Sequence, residues 1–160
     1  NGEVRSHSRE YVAGLTELRV PAGEPAHTET RIVDVKDPIT VTGFNMHMHL
    51  RGKSAKIIFH YPDGRSEVAL DIPNYDFNWQ RVYYLQTPQP LPGGSKIEFI
   101  GVWDNSPANP RNPDPTVDAL YGGRSSDEMY TGSVYFFIKR LHPLVVKDGV
   151  PVALADTESQ

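Results

Sequence analysis

The sequence contains no cysteine. That removes disulfides, thiolate metal sites and cysteine nucleophiles together, but it does not fix a compartment, because exported proteins can manage without disulfides. No apolar run approaches the roughly 20 residues of a membrane-spanning helix, and the opening residues NGEVRSHSRE have no apolar signal-peptide centre. Membrane insertion is not expected. Blocks of like charge are missing as well: 16 Lys and Arg stand against 20 Asp and Glu, for a formal net charge of -4. The chain therefore offers no electrostatic footprint for nucleic acid or an anionic membrane. Helical periodicity is never sustained over three turns, and there is no internal repeat.

What the 160 residues do have is turn formers, with 14 Pro and 13 Gly, beside an ordinary 38% of hydrophobic and 22% of charged residues. The length fits a single globular domain, 1–160, and the composition favours an all-β one. β-like runs recur between turn signals. EYVAGLTELRV (10–20) ends at Pro21-Ala22-Gly23, and HTETRIVDV (27–35) leads into ITVTGFNMHMHL (39–50). KIIFHY and EVALDI flank Pro62-Asp63-Gly64-Arg65, FNWQRVYYL (77–85) and KIEFIGVW flank QTPQPLPGGS, and MYTGSVYFFIKR (129–140) follows a long Pro-rich loop from Ser106 to Gly123. A last hairpin is expected around Asp148-Gly149, followed by a frayed tail, 155–160. About nine strands at this spacing predict an antiparallel β-sandwich with jelly-roll character.

The stretch FNMHMHLRGK (44–53) carries the chemistry. Strand alternation puts Phe44, Met46, Met48 and Leu50 on one face, as core, and Asn45, His47, His49 and Arg51 on the other, facing solvent or a cleft. His47 and His49, with Cα atoms roughly 6.6 Å apart, can lean toward one ion. Two histidines leave a site incomplete, and zinc, copper and iron all remain open: a thioether would favour copper, a carboxylate zinc or iron. His7, His27, His60, His142 and Met129 are the other candidates, beside the many Asp and Glu. Phe77, Trp79, Tyr83 and Tyr84 read as sandwich core, and the 106–123 loop reads as a Pro-pinned connection rather than a lid.

Three segments, VPAGE (20–24), HMHLRGK (47–53) and GGRSSDEM (122–129), resemble, in order and spacing, the C-terminal catalytic domain of the copper type II, ascorbate-dependent monooxygenases. That family is typified by peptidylglycine α-hydroxylating monooxygenase and dopamine β-monooxygenase. The likeness covers residues 12–140, with 141–154 as a C-terminal hairpin. NYDFNWQRVYYL and DNSPANPRNPDP further resemble bacterial relatives found in multidomain exported proteins. The resemblance implies a single copper ion, cycling between Cu(I) and Cu(II), held by His47, His49 and Met129. It further implies O2 as co-substrate, an external reductant such as ascorbate, C–H hydroxylation of a small-molecule substrate, an electron-donor domain or protein as partner, and a periplasmic or secreted location.

The chain departs from the family where substrate is read. An Arg that precedes the first histidine by two in the peptide-amidating members is Asn45 here, and an Asn and a Tyr that follow the methionine are Thr131 and Ser133. The clamp for a peptide carboxylate is missing, so amidation of glycine-extended peptides is not expected. Tyr130 stands where a Cys commonly follows the methionine, and no histidine spacing rebuilds the family's second copper site. A non-catalytic copper carrier or sensor, and a ligand-binding sandwich without metal, are the rival expectations.

Overall fold

A computed structural model describes residues 8–138, 144–147 and 150–153, so His7, His142, Asp148-Gly149 and the tail lie outside the described residues. Twelve strands run in order: β1 (Ser8–Gly14), β2 (Arg19–Val20), β3 (His27–Asp34), β4 (Ile39–His47), β5 (Gly52–His60), β6 (Ser66–Ile72), β7 (Tyr83–Leu91), β8 (Lys96–Trp103), β9 (Ala119–Leu120), β10 (Thr131–Phe137), β11 (Leu144–Lys147) and β12 (Val150–Ala153). Eight of them form two four-stranded antiparallel sheets, β1-β10-β4-β7 and β3-β8-β5-β6. The first strand lies beside the last of the sandwich, and β3 lies beside β8. That interleaving of early and late strands across two sheets is jelly-roll topology. The fold is an all-β antiparallel sandwich.

The count exceeds the expected nine because short pairs form outside the sheets: β2 with β9, and β11 with β12. The hairpin at Pro62–Arg65 forms as expected, with Gly64 at φ 86° between β5 and β6. The segment 77–85 corrects the sequence reading. Residues before Tyr83 form a loop, and the strand instead runs through Gln86-Thr87-Pro88-Gln89-Pro90. β7 tolerates those prolines because it is an edge strand, hydrogen-bonded on one side only, to β4.

Between the sheets, β4 contributes Ile39, Val41, Phe44 and Met46, β5 contributes Ala55, Ile57 and Phe59, and β8 contributes Ile97, Phe99 and Trp103, all buried. The inward residues of β4 change parity between Val41 and Phe44. A bulge is the cause: the register with β7 shifts between Val41 and Gly43, and that with β10 between Tyr135 and Phe136. One extra residue flips every later side chain to the other face. Phe44, Met46 and Met48 thus face the core, at 1%, 2% and 0% exposure, and His47 is released to the outer face.

On β10, Gly132, Val134 and Phe136 face inward beside Met46, Phe44 and Val41. A Cβ on Gly132 would lie 2.3 Å from Phe99 Cδ1 and 3.0 Å from the Met46 sulfur. Replacing Gly132 with Ala is therefore expected to overpack the sandwich and destabilise it by about 1–3 kcal/mol, read as a lowered urea midpoint with an unchanged m-value.

Candidate metal centre

β4 ends at His47, and the chain turns at Leu50 and Arg51 before β5 begins. Strand alternation therefore stops short of where the sequence pattern runs. Leu50, expected in the core, is half-buried in the turn, while His49 and Arg51, expected to face solvent or a cleft, are 5% and 2% exposed. The reason is the loss of a neighbouring strand. From Met48 onward the main chain has no ladder, and buried main-chain groups must find other partners.

Side chains supply them. The Tyr75 hydroxyl accepts from Met48 N–H at 2.9 Å and donates to Met48 C=O at 2.8 Å, replacing both ladder bonds of the residue between the histidines. Glu128, 0% exposed, supplies the next two. Its Oε2 accepts from His49 N–H at 3.0 Å and its Oε1 from Arg51 N–H at 2.7 Å. Oε2 also accepts from the Trp103 indole N–H at 3.0 Å and, at 3.4 Å, from Met129 N–H. Burial pushes the Glu128 carboxyl above its ordinary range, and the N–H donors of Arg51, His49 and Met129 pull it back. Gly52 leaves room for this arrangement, since a Cβ there would lie 2.6 Å from the Tyr75 ring.

Arg51 is the complementary buried charge. Its guanidinium donates to Asn105 Oδ1 and to Ser126 C=O, each at 2.7 Å, and desolvation lowers its pKa against the nearby Glu128, Asp114 and Asp127 charges. Asn105, 0% exposed, in turn bonds the main-chain carbonyls of Val20, Pro21 and Val117. The loop that follows Ser106 is pinned from its root, in line with the expectation of a Pro-pinned connection.

The imidazoles have hydrogen-bond partners of their own. His47 and His49 lie with ring centroids 5.1 Å apart, edge to face at 86°. His47 Nδ1 bonds the side-chain carbonyl oxygen of Gln80, and His49 Nδ1 bonds the main-chain carbonyl of Asp127 at 3.3 Å. Carbonyl oxygens only accept, so both Nδ1 atoms carry a proton, and in the neutral rings both Nε2 atoms keep a lone pair. Neither Nε2 has a hydrogen-bond partner among the described residues. Phe77 presses its neighbour from the side, with ring centroids 5.9 Å from His49 at 88°.

Met129 approaches from β10. Thr131 pairs with His47 and is half-buried on the outer face, while Tyr130 and Gly132 are buried on the inner one. Met129 itself, two residues before Thr131 and outside the strand, is half-buried. Its neighbours Asp127 and Glu128 are the residues that bond His49. The segment that carries Met129 therefore runs beside the histidines, although about eighty residues separate His49 from Met129 in the chain.

The other histidine candidates among the described residues, His27 and His60, do not join them. His27 bonds Glu29 at 3.0 Å, and His60 bonds Ser66 at 2.8 Å and Glu98 at 2.7 Å, both histidines being on the second sheet. Among the described residues no group of three His, Cys, Asp or Glu side chains is placed to hold a metal ion. The aromatic expectation also needs correction. Trp79 and Tyr84 are 59% and 76% exposed rather than core, because residues 76–82 form a loop and β7 is an edge. Gln80, Tyr75 and Glu128 were not singled out by sequence. For Glu128 the only signal was its place in GGRSSDEM beside Met129.

No family model and no curated protein matches the chain. Among solved structures, the infectious bursal disease virus VP2 subviral particle is similar at 14% identity and a TM-score of 0.37, over 82% of this chain and 33% of that one. The Gt strain structure of the same virus is similar at 15% identity and a TM-score of 0.38, over 82% and 32%. The chain spans about a third of the length of these structures.

Two variants test the hub. Glu128→Gln turns an amide NH2 toward N–H donors and is expected to cost about 1–3 kcal/mol, read by urea unfolding. Tyr75→Phe tests the phenol through pH. Burial pushes Tyr75 from 10.0 up to about 12, so the folded chain keeps a proton that the unfolded chain loses. The stabilisation is whole below about pH 10 and disappears as pH rises through about 12. Stability followed across that window should fall in the wild type and fall less in Tyr75→Phe. Some decline remains in the variant, because burial raises Tyr130 as well.

Proposed function

We propose that the chain holds one copper ion at His47, His49 and Met129 and serves as the substrate-hydroxylating module of a copper type II monooxygenase. The observation that carries this reading is the presentation of the two imidazoles. Each is turned by a carbonyl acceptor at Nδ1 so that Nε2 is left unprotonated on the same strand end. Metal-bound histidines are held in this way, because the acceptor fixes the tautomer and raises the basicity of the ligating nitrogen. Two imidazoles and one thioether suit copper, the thioether favouring Cu(I).

When bound, copper would supply one-electron chemistry with O2, using electrons from an external reductant such as ascorbate, for hydroxylation of a C–H bond. The chain's own part is to hold the ligands and exclude alternatives. Buried Glu128 and Tyr75 lock the main chain at 48–51, so the ligand spacing does not depend on solvent-exposed contacts. Asn45, at the position of the family's carboxylate-reading Arg, donates its amide to Arg81 C=O at 3.0 Å. It ties the 76–82 loop to β4, which supports a substrate other than a glycine-extended peptide. A separate electron-donor domain or protein, and a periplasmic or secreted setting, belong to the same reading.

A non-catalytic copper carrier or sensor is the second reading. It is favoured by His27 and His60, each engaged with a carboxylate, which leaves no second histidine cluster among the described residues.

Copper titration with metal analysis and EPR of the Cu(II) form tests both. One copper per chain is expected, with His47→Ala weakening Cu(II) binding at least about 100-fold and Met129→Ala weakening Cu(I) more than Cu(II). Copper binding that His47→Ala leaves unaltered, or no stoichiometric copper at all, sinks the proposal and leaves a metal-free ligand-binding sandwich. Oxygen consumption with hydroxylated product under ascorbate then separates monooxygenase from carrier.

A further inference from the structure

We infer that Gln80 is the positioning residue for His47: it sets the ring tautomer that leaves Nε2 free for metal. The inference rests on the reading of His47 as a ligand but is argued from hydrogen-bond chemistry alone. The Gln80 amide nitrogen donates to Phe77 C=O at 2.7 Å. That bond assigns the two ends of the amide, since the opposite orientation would set two carbonyl oxygens against each other. The Gln80 carbonyl oxygen therefore faces His47 Nδ1 and can only accept. The proton must sit on Nδ1.

The two histidines differ in what orients them. His49 leans on the main-chain carbonyl of Asp127, within the segment anchored by Glu128. No side-chain substitution removes that acceptor. His47 depends on one side chain from a loop whose Asp76, Asn78, Trp79 and Arg81 are exposed. The loop has its own supports. Asp76 accepts from Asn78 N–H at 2.9 Å through its carboxylate and from Trp79 N–H at 2.9 Å through its main chain. Beyond Gln80, Asn45 holds Arg81 C=O at 3.0 Å. Asn45 and His47 project from the same face of β4, so the strand that bears the ligand also holds the loop that orients it. Without the Gln80 acceptor, the His47 proton is free to move to Nε2, where it occupies the lone pair a metal needs.

The test begins without metal. Long-range proton–nitrogen NMR of the labelled apo protein, at alkaline pH where imidazole is neutral, distinguishes the tautomers of His47 directly. The wild type should show His47 as the Nδ1–H form, Gln80→Leu should shift it toward Nε2–H, and His49 should stay unchanged in both. Gln80→Glu, which gives up the bond to Phe77 C=O but keeps an acceptor at the same reach of His47, should restore the wild-type tautomer. Copper(II) titration of the three proteins should follow the same order, with Gln80→Leu weaker by about 10–100-fold and Gln80→Glu close to the wild type. An Nε2–H form in the wild type, or an unchanged tautomer in Gln80→Leu, overturns the inference. The expected tautomer shift with no copper bound by any of the three upholds the hold of Gln80 on His47 and overturns the copper reading instead.

Discussion

A carboxylate with no water around it organises this end of the molecule. Glu128 is fully buried and accepts from three main-chain N–H groups and one indole. An uncompensated charge in that position would be prohibitive, so the donors and the nearby buried Arg51 are conditions of its being there at all. Through them, one side chain fixes the main chain at His49, Arg51 and Met129 and seats Trp103 in the core. Sheet, turn and candidate ligands are thereby joined at a single group.

The arrangement answers a problem set by the fold. A strand that leaves its sheet exposes unpaired N–H and C=O groups, and those of Met48, His49 and Arg51 are buried, where water cannot repair them. Tyr75 takes both groups of Met48, and Glu128 takes the N–H groups of His49 and Arg51. Side-chain partners satisfy the backbone, with the His47 ring half-buried beside Gln80 and the His49 ring buried against Phe77 and Asp127.

Alternation along FNMHMHL correctly assigned Met46 and Met48 to the core, because that inference needs only the two-residue period of a strand. It did not reveal why the register begins at Phe44. That depends on the bulge near Gly43, where Ile39 and Val41 on the same strand follow the opposite parity. Extended unbroken from Ile39, the pattern would have buried His47 in the sandwich. The sandwich itself was legible from short runs, Pro and Gly spacing and the Asp63-Gly64 turn. β7 was misplaced because prolines were taken as turn markers, and an edge strand relaxes that rule. Glu128, Tyr75 and Gln80 act across 79, 27 and 33 residues of chain. Contacts at such separations leave no local period or motif to read, so a glutamate beside a methionine looks like any surface glutamate until the fold closes around it.

The same separations bear on what a bound ion would do. His47 closes the fourth strand and His49 follows it, whereas Met129 leads into the tenth, and the two strands are neighbours only in the folded sandwich. A metal at these three residues binds the native state and has no equivalent site in an extended chain, so its binding free energy adds to the stability of the jelly roll. Because Glu128 and Tyr75 already hold the backbone at 48–51, the ion has only side chains to order, and the conformational entropy it must overcome on binding is small.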